Sequence, residues 1–158
     1  MSEQITNVLF AGIGGQGIIK ASDMLTEAAF RMGFDVKKSE LHGMSQRGGS
    51  VSSDVRFGKK VYSPMIPRGE ADCLIAVSED QIEVCEGYLR KDAVIIRPSD
   101  IDPSDASSKM LNIAMLGRLN RYLKFPESLW EGIIRESFKA EIAEENIAAF
   151  RRAANGKE

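Results

Sequence analysis

Apolar residues recur along this chain with two periods, and the chain switches repeatedly from one to the other. Asn7-Val8-Leu9-Phe10-Ala11-Gly12 is a short apolar run rich in strand formers that stops at glycines, as a buried strand feeding a tight turn does. From Ile18 to Met32 the apolar positions Ile18, Ile19, Met24, Leu25, Ala28, Ala29 and Met32 fall mostly three and four residues apart, which predicts a helix, and Gly33 stands just past its last turn. Asp35 to Ser39 reads as a second strand. The first unit is therefore strand, glycine turn, helix, strand.

Between Gly48 and Ser63 the pattern changes. Val51, Ser53, Val55 and Phe57 alternate with more polar neighbours, Gly58-Lys59-Lys60 supplies a turn, and Val61-Tyr62 resumes an extended run, so a β-hairpin is expected there. Ser63-Pro64-Met65-Ile66-Pro67-Arg68-Gly69 cannot be a regular helix because of its prolines, and is expected to be an ordered loop crossing the surface or an interface. Asp72 to Ser78 is a continuous apolar strand, Glu79 to Leu89 has helical spacing, and Ala93 to Arg97 is a short apolar strand ended by Pro98. Ser99 to Ser108, rich in Ser, Asp and Pro, reads as a surface loop. Helices follow near Lys109–Leu123, Pro126–Ser137 and Ala140–Ala153, with Pro126 suited to a first turn.

Strands alternating with helices argue for an α/β fold, a Rossmann-like three-layer sandwich whose mostly parallel sheet carries a β-hairpin insertion and is followed by C-terminal helices. Residues 1–158 are expected to form a single domain, since domains commonly run to about 100–150 residues.

Charge narrows the partners. Lysine and arginine number 21 against 23 aspartates and glutamates, for a formal charge of −2, which provides no broad cationic field for nucleic acid or anionic lipid. Met1 to Thr6 carries no basic stretch leading into an apolar run, and no segment approaches the ~18 apolar residues of a membrane span, so a cytoplasmic chain without membrane contact is expected. Two cysteines, Cys73 and Cys85, are too few for a four-thiolate iron–sulfur cluster or a Cys-rich zinc site, and Cys73 sits in the apolar run 73–77 as a small core residue would. No metal site is assigned, and the methionines need no reading beyond gap-filling in cores and interfaces. Trp130 fits a core anchor or an interface anchor.

Gly12-Ile13-Gly14-Gly15-Gln16-Gly17 fits the pattern G-x-G-x-x-G, placed between a predicted strand and a predicted helix. Glycines permit positive φ and remove the Cβ atoms that would block a phosphate, while the helix aims unpaired N–H groups and its positive dipole end at an anion. The same glycines also suit a purely structural turn that lets strand and helix pack closely. Asp35 falls near the point where a dinucleotide-binding domain places its ribose-binding acid, so a free-standing nicotinamide or flavin oxidoreductase stays open as an alternative, as does a scaffold of this fold.

Ser39-Glu40-Leu41-His42-Gly43-Met44-Ser45-Gln46-Arg47-Gly48-Gly49-Ser50 holds the single histidine. Its density of glycine and hydrogen-bonding side chains, without apolar periodicity, suits a segment shaped to meet a ligand or another chain. Together with Gly12 to Gly17, the segment Val61 to Pro67, Gly69-Glu70-Ala71-Asp72, Asn112 to Gly117 and Glu145 to Phe150, this run resembles the gamma-type subunit of 2-oxoacid:ferredoxin oxidoreductases, and within them the beta subunit of the indolepyruvate branch. The stretch between Arg97 and Lys109 is shorter than that resemblance leads one to expect.

The resemblance implies a non-redox subunit of a complex that oxidatively decarboxylates a 2-oxoacid, an aryl pyruvate in the indolepyruvate branch, to an acyl-CoA. A large partner subunit would hold thiamine diphosphate with a divalent metal and the iron–sulfur clusters, and electrons would pass to ferredoxin. This chain would hold no cofactor alone, carry no catalytic residue and be inactive in isolation; whether it then forms a homodimer is open. It would help complete the active site, with backbone N–H groups of Gly14, Gly15, Gln16 and Gly17 facing a phosphate of coenzyme A or of the partner's cofactor. His42, Ser45, Gln46 and Arg47 would lie at the subunit interface near the partner's active site, where Arg47 offers a planar fork to a carboxylate or phosphate.

Overall fold

The computed structural model describes residues 4–42 and 50–156. Five strands form one sheet: β1 (Thr6–Ile13), β2 (Asp35–His42), β3 (Ser50–Gly58), β4 (Ala71–Ala76) and β5 (Leu89–Ile96), in the order β2-β3-β1-β4-β5. Helix α1 (Ile18–Arg31) links β1 to β2, and the short α2 (Asp80–Cys85) links β4 to β5. Beyond the sheet come α3 (Pro103–Ala106), α4 (Leu111–Leu123), α5 (Glu127–Ser137) and α6 (Ala140–Asn155).

The sheet is mixed, which corrects the expectation of a mostly parallel one. β1 pairs parallel with β4 and β4 with β5, but β3 runs antiparallel to both of its neighbours, β1 and β2. The two strands joined by α1 point the same way yet are not adjacent, because β3 lies between them. The hairpin is also relocated: it is β2 with β3, across the 43–49 connection, rather than β3 with Val61-Tyr62. Both edges of β3 are occupied along their length by β1 and β2, so residues 61–62 have no ladder to join, and Pro64 and Pro67 remove donors that a further strand would need.

One sheet face packs against α1, α4, α5 and α6 through Val8, Phe10, Val55, Phe57, Cys73 and Ile75. The other face packs Leu9, Ala11, Leu74 and Ala76 against Ile66 and Cys85, from the proline-containing loop and α2. Helices therefore lie on both sides, as expected, but the second side is thin. Trp130 is fully buried and its Nε1 donates to Asn120 Oδ1 (2.9 Å), so it is a core anchor; its ring stacks 6.3 Å from Phe125 and packs 5.2 Å from Phe150.

Three boundaries moved for local reasons. The helix expected over 79–89 ends at Cys85, passes through a 3-10 turn over 86–88, and gives way to β5 at Leu89. Strand β5 starts earlier than its apolar run because it includes an irregularity, with Asp92 at φ 65° and a register shift opposite residues 71–73. The 99–108 loop contains α3, whose start is an Asp102 carboxylate accepting the Ser104 N–H (3.0 Å) followed by Pro103 in the first turn. No helix among the described residues is long and apolar enough to cross a membrane.

Candidate functional site

The whole connection from β1 to α1 is Gly14, Gly15, Gln16 and Gly17. Gly15 and Gly17 stand at φ 90° and 80°, a region that costs other L residues roughly 1–2 kcal/mol. The turn closes on itself: the Gln16 N–H donates to the Ile13 carbonyl (3.2 Å) and Gln16 Oε1 accepts the Ile13 N–H (2.7 Å). The Gln16 amide is thus engaged inside the turn. The two positive-φ glycines differ in what surrounds them. Among the described residues a Cβ on Gly15 would meet nothing within 4 Å, whereas one on Gly17 would collide with the Asn112 side chain, whose Nδ2 donates to the Gly17 carbonyl (3.2 Å).

Beside the turn lies a hollow of about 180 Å³ lined by Gly14, Gly15, Gly17, Ile18 and Val51 among others. The first intrahelical bond of α1 runs from the Ala21 N–H to the Gly17 carbonyl (3.0 Å), so the amides of Ile18, Ile19 and Lys20 have no acceptor within the helix. Lys20 also lines the hollow, and its ammonium is engaged, donating to the Ser137 carbonyl (3.3 Å) and lying 4.3 Å over the Phe138 ring. What this place offers an anion is backbone N–H and the end of a helix dipole.

The ladders bring the second motif to the same place. His42 pairs with Val51 across β2 and β3, and Val51 pairs with Gly12 across β3 and β1, so the three form one row; Ser50 pairs with Ile13 in the next. Two ladder spacings, about 10 Å, separate the backbones of His42 and Gly12. Both ends of the 43–49 connection therefore emerge at the sheet edge that carries the glycine turn. Ser45, Gln46 and Arg47 lie outside the described residues, and His42 is placed by its backbone alone.

Chain topology marks this edge independently. β1 and β4 are parallel neighbours, and their following helices leave over opposite faces, α1 toward β2 and α2 toward β5. Ligands of open α/β sheets bind outside the carboxyl ends of the strands at such a switch point. Asp35, in contrast, is at the other end of the sheet. It begins β2, about 23 Å of strand from His42, pairs with Gly58, and accepts the Val61 N–H on Oδ2 (2.8 Å), the bond that holds its carboxyl below the usual range. It cannot hold a ribose beside the glycine turn.

Neither thiol is poised for chemistry. Burial, reinforced by Asp72, pushes Cys73 up to about 12, and burial, reinforced by Asp54, pushes Cys85 up to about 11. Among the described residues no cluster of His, Cys, Asp and Glu is arranged to hold a metal ion.

The pattern of the pyruvate ferredoxin/flavodoxin oxidoreductase family matches residues 7–106, which include the glycine turn, the β2–β3 connection and the proline-containing loop. The chain belongs to this family. An indolepyruvate oxidoreductase subunit IorB of Pyrococcus horikoshii is 36% identical over 121 residues, 75% of this chain and 59% of that one. Matches of this kind take in roughly half of the relatives' length, 44%, 59% and 50% for three such subunits. In the crystal structure of pyruvate oxidoreductase subunit PORC from Thermotoga maritima the same fold recurs with a TM-score of 0.77 over 96% of each chain, at 21% identity. In 2-oxoglutarate:ferredoxin oxidoreductase from Magnetococcus marinus, a structure with 2-oxoglutarate, coenzyme A and succinyl-CoA bound, it recurs with a TM-score of 0.78 over 99% of this chain and 32% of that one, at 19% identity. The family resemblance carried by the Ser39–Ser50 run is borne out.

Two features of this structure were not visible in the sequence. Asn112, on the first turn of α4, locks the start of α1 from 95 residues away. Asp54 and Arg56, alternate residues on the outward side of β3, clamp the proline-containing loop: Asp54 Oδ2 accepts the Ile66 N–H (2.9 Å), and Arg56 donates to the carbonyls of Ser63 (2.8 Å) and Met65 (3.2 Å). The signal available was the polar half of the β3 alternation, which reads as an ordinary solvent face until the loop is placed over it.

Proposed function

We propose that this chain is the non-redox subunit of a 2-oxoacid:ferredoxin oxidoreductase of the indolepyruvate kind, with an aryl pyruvate as substrate, coenzyme A as acyl acceptor and ferredoxin as electron acceptor. The observation that carries the reading is the row His42–Val51–Gly12, because it puts the family's two motif segments at one sheet edge, at the switch point of the fold. Family membership and the likeness to IorB subunits support the substrate class.

The companion subunit would hold thiamine diphosphate, its divalent metal and the clusters; thiamine diphosphate supplies the decarboxylation chemistry. This chain's own residues have the positioning role. The N–H groups of Gly14, Gly15 and Gly17 and the first turn of α1 face a phosphate, and Gly15 puts no side chain in the approach. Ser45, Gln46 and Arg47, which lie outside the described residues, and His42 would meet the companion beside its reacting centre. The fit to a phosphate rests on backbone donors, so it depends on backbone conformation more than on any one side chain. A location in the cytoplasm accords with this chemistry.

Coexpression with the thiamine-diphosphate subunit, followed by a panel of 2-oxoacids with and without coenzyme A, tests the proposal. Aryl pyruvates should give the highest turnover, and only with coenzyme A present. Preference for a small aliphatic oxoacid would overturn the substrate class, and failure to assemble would overturn the subunit reading.

A further inference from the structure

The thin side of the sheet has a second concave feature, away from the glycine turn. A groove of about 310 Å³ runs over the outward face of β2 and β3, bounded by the proline-containing loop and by α2 with the 3-10 turn after it. Four of the large apolar residues that face solvent gather on its walls: Leu41 (69% exposed), Met65 (64%), Val84 (66%) and Tyr88 (39%). Isolated exposed apolar residues are ordinary, but four around one groove are not.

The loop on one wall is fastened at several points. Arg56, itself buried, grips the Ser63 and Met65 carbonyls and donates through Nε to Asn7 Oδ1 (2.8 Å), while Asp54 takes the Ile66 N–H. These bonds bury Ile66 in the second core and leave Met65 exposed. Because the backbone beneath Met65 is already clamped, covering that side chain costs rotamer freedom but little backbone entropy.

At the floor Asp54 stands with Leu9, Ile66 and Cys85, and no lysine or arginine lines the groove among the described residues. Apolar walls over an acidic floor select an apolar side chain that carries an N–H or cationic donor. We infer that this groove docks a segment of the companion subunit that inserts an apolar side chain with an adjoining N–H or cationic donor, accepted by Asp54. The inference rests on the subunit reading above and adds the surface and the chemistry of the contact.

The test is a titration of the purified full chain against the thiamine-diphosphate subunit. Val84→Lys and Val84→Glu change one exposed position on α2 and leave the core untouched; thermal midpoints of the isolated variants check folding. Val84→Lys should weaken association at least tenfold, because it places a cation beside the incoming donor, and Val84→Glu should weaken it less. Asp54→Asn, which keeps an acceptor for Ile66, should also weaken it by about tenfold, the loss of one charge-assisted hydrogen bond. Unchanged affinity in all three variants, or a greater loss with Val84→Glu than with Val84→Lys, overturns the inference while leaving the subunit reading intact. No association of the wild-type chain takes down both. A wild-type homodimer that Val84→Lys dissolves would assign the groove to a second copy instead, and so overturn it too.

Discussion

The Asn112 side chain reaches across from α4 to donate to the Gly17 carbonyl at 3.2 Å, on the residue where the glycine turn becomes α1. That contact separates the two readings of the glycine turn residue by residue. A side chain at Gly17 is opposed by packing, while one at Gly15 would meet nothing among the described residues.

Gly17→Ala should therefore destabilise the chain by roughly 2–4 kcal/mol, combining positive-φ strain with a collision in a packed place. Gly15→Ala should cost only about 1 kcal/mol, the strain alone. Adding Asn112→Ala to Gly17→Ala should recover part of the loss, a coupling that denaturant titration of the wild type, the two single variants and the double variant reads directly.

The pH dependence of stability should carry the signature of Asp54. Burial raises its carboxyl above the ordinary 3.8, against the opposing pull of the Ile66 N–H and Arg56. A raised acid costs the folded state stability as pH rises: there is no penalty below the unfolded value, and the full penalty above the folded one. Asp54→Asn should consequently gain stability relative to wild type as pH goes from about 3 to 7, seen as a growing difference in urea midpoint. A difference that is flat over this window would contradict the assignment.

Much of the fold was legible because it depends on local periodicity. The β1–glycine turn–α1 unit, the apolar β4 and the three C-terminal helices follow from patterns within a dozen residues, and the structure places them within a few residues of expectation. Strand partnership was not legible. The alternation at Val51, Ser53, Val55 and Phe57 shows that a strand is present but not which edge it joins, and the turn signal Gly58-Lys59-Lys60 favoured the wrong neighbour. The site was legible as two motifs. Their convergence depends on β3 slipping between β1 and β2, a tertiary choice with no local signal, and the groove depends on a side chain pair, Asp54 and Arg56, that reads as solvent-facing in isolation.

The region between β5 and α4 should depend on one ion pair. Arg152 on α6 donates twice to the buried Asp105 carboxylate, at 2.9 and 2.7 Å, fastening α3 to the helical layer. Arg152→Ala would leave that carboxylate buried without its cation. The arginine end is half in solvent, so the cost falls below that of a fully buried pair, to about 1–3 kcal/mol. Arg151→Ala, which breaks an exposed pair with Glu131, should cost under about 1 kcal/mol in the same thermal measurement.

Thiol chemistry offers an independent check on the core. Cys73 and Cys85 are both buried, with thiols pushed up to about 12 and about 11, so neither is ionised at around pH 8. A chromogenic disulfide reagent should find no fast-reacting thiol in the native chain and two after denaturation. One rapid thiol in the folded protein would place Cys85 at an accessible surface.

The central proposal is that this chain shapes and closes an active site whose bond-breaking and electron-carrying groups belong to a companion. Ferredoxin reduction with indolepyruvate and coenzyme A, measured for this chain alone, for the thiamine-diphosphate subunit alone and for the two together, tests it most directly. The account predicts that only the combination turns over; activity in either protein alone matching that of the pair would contradict it.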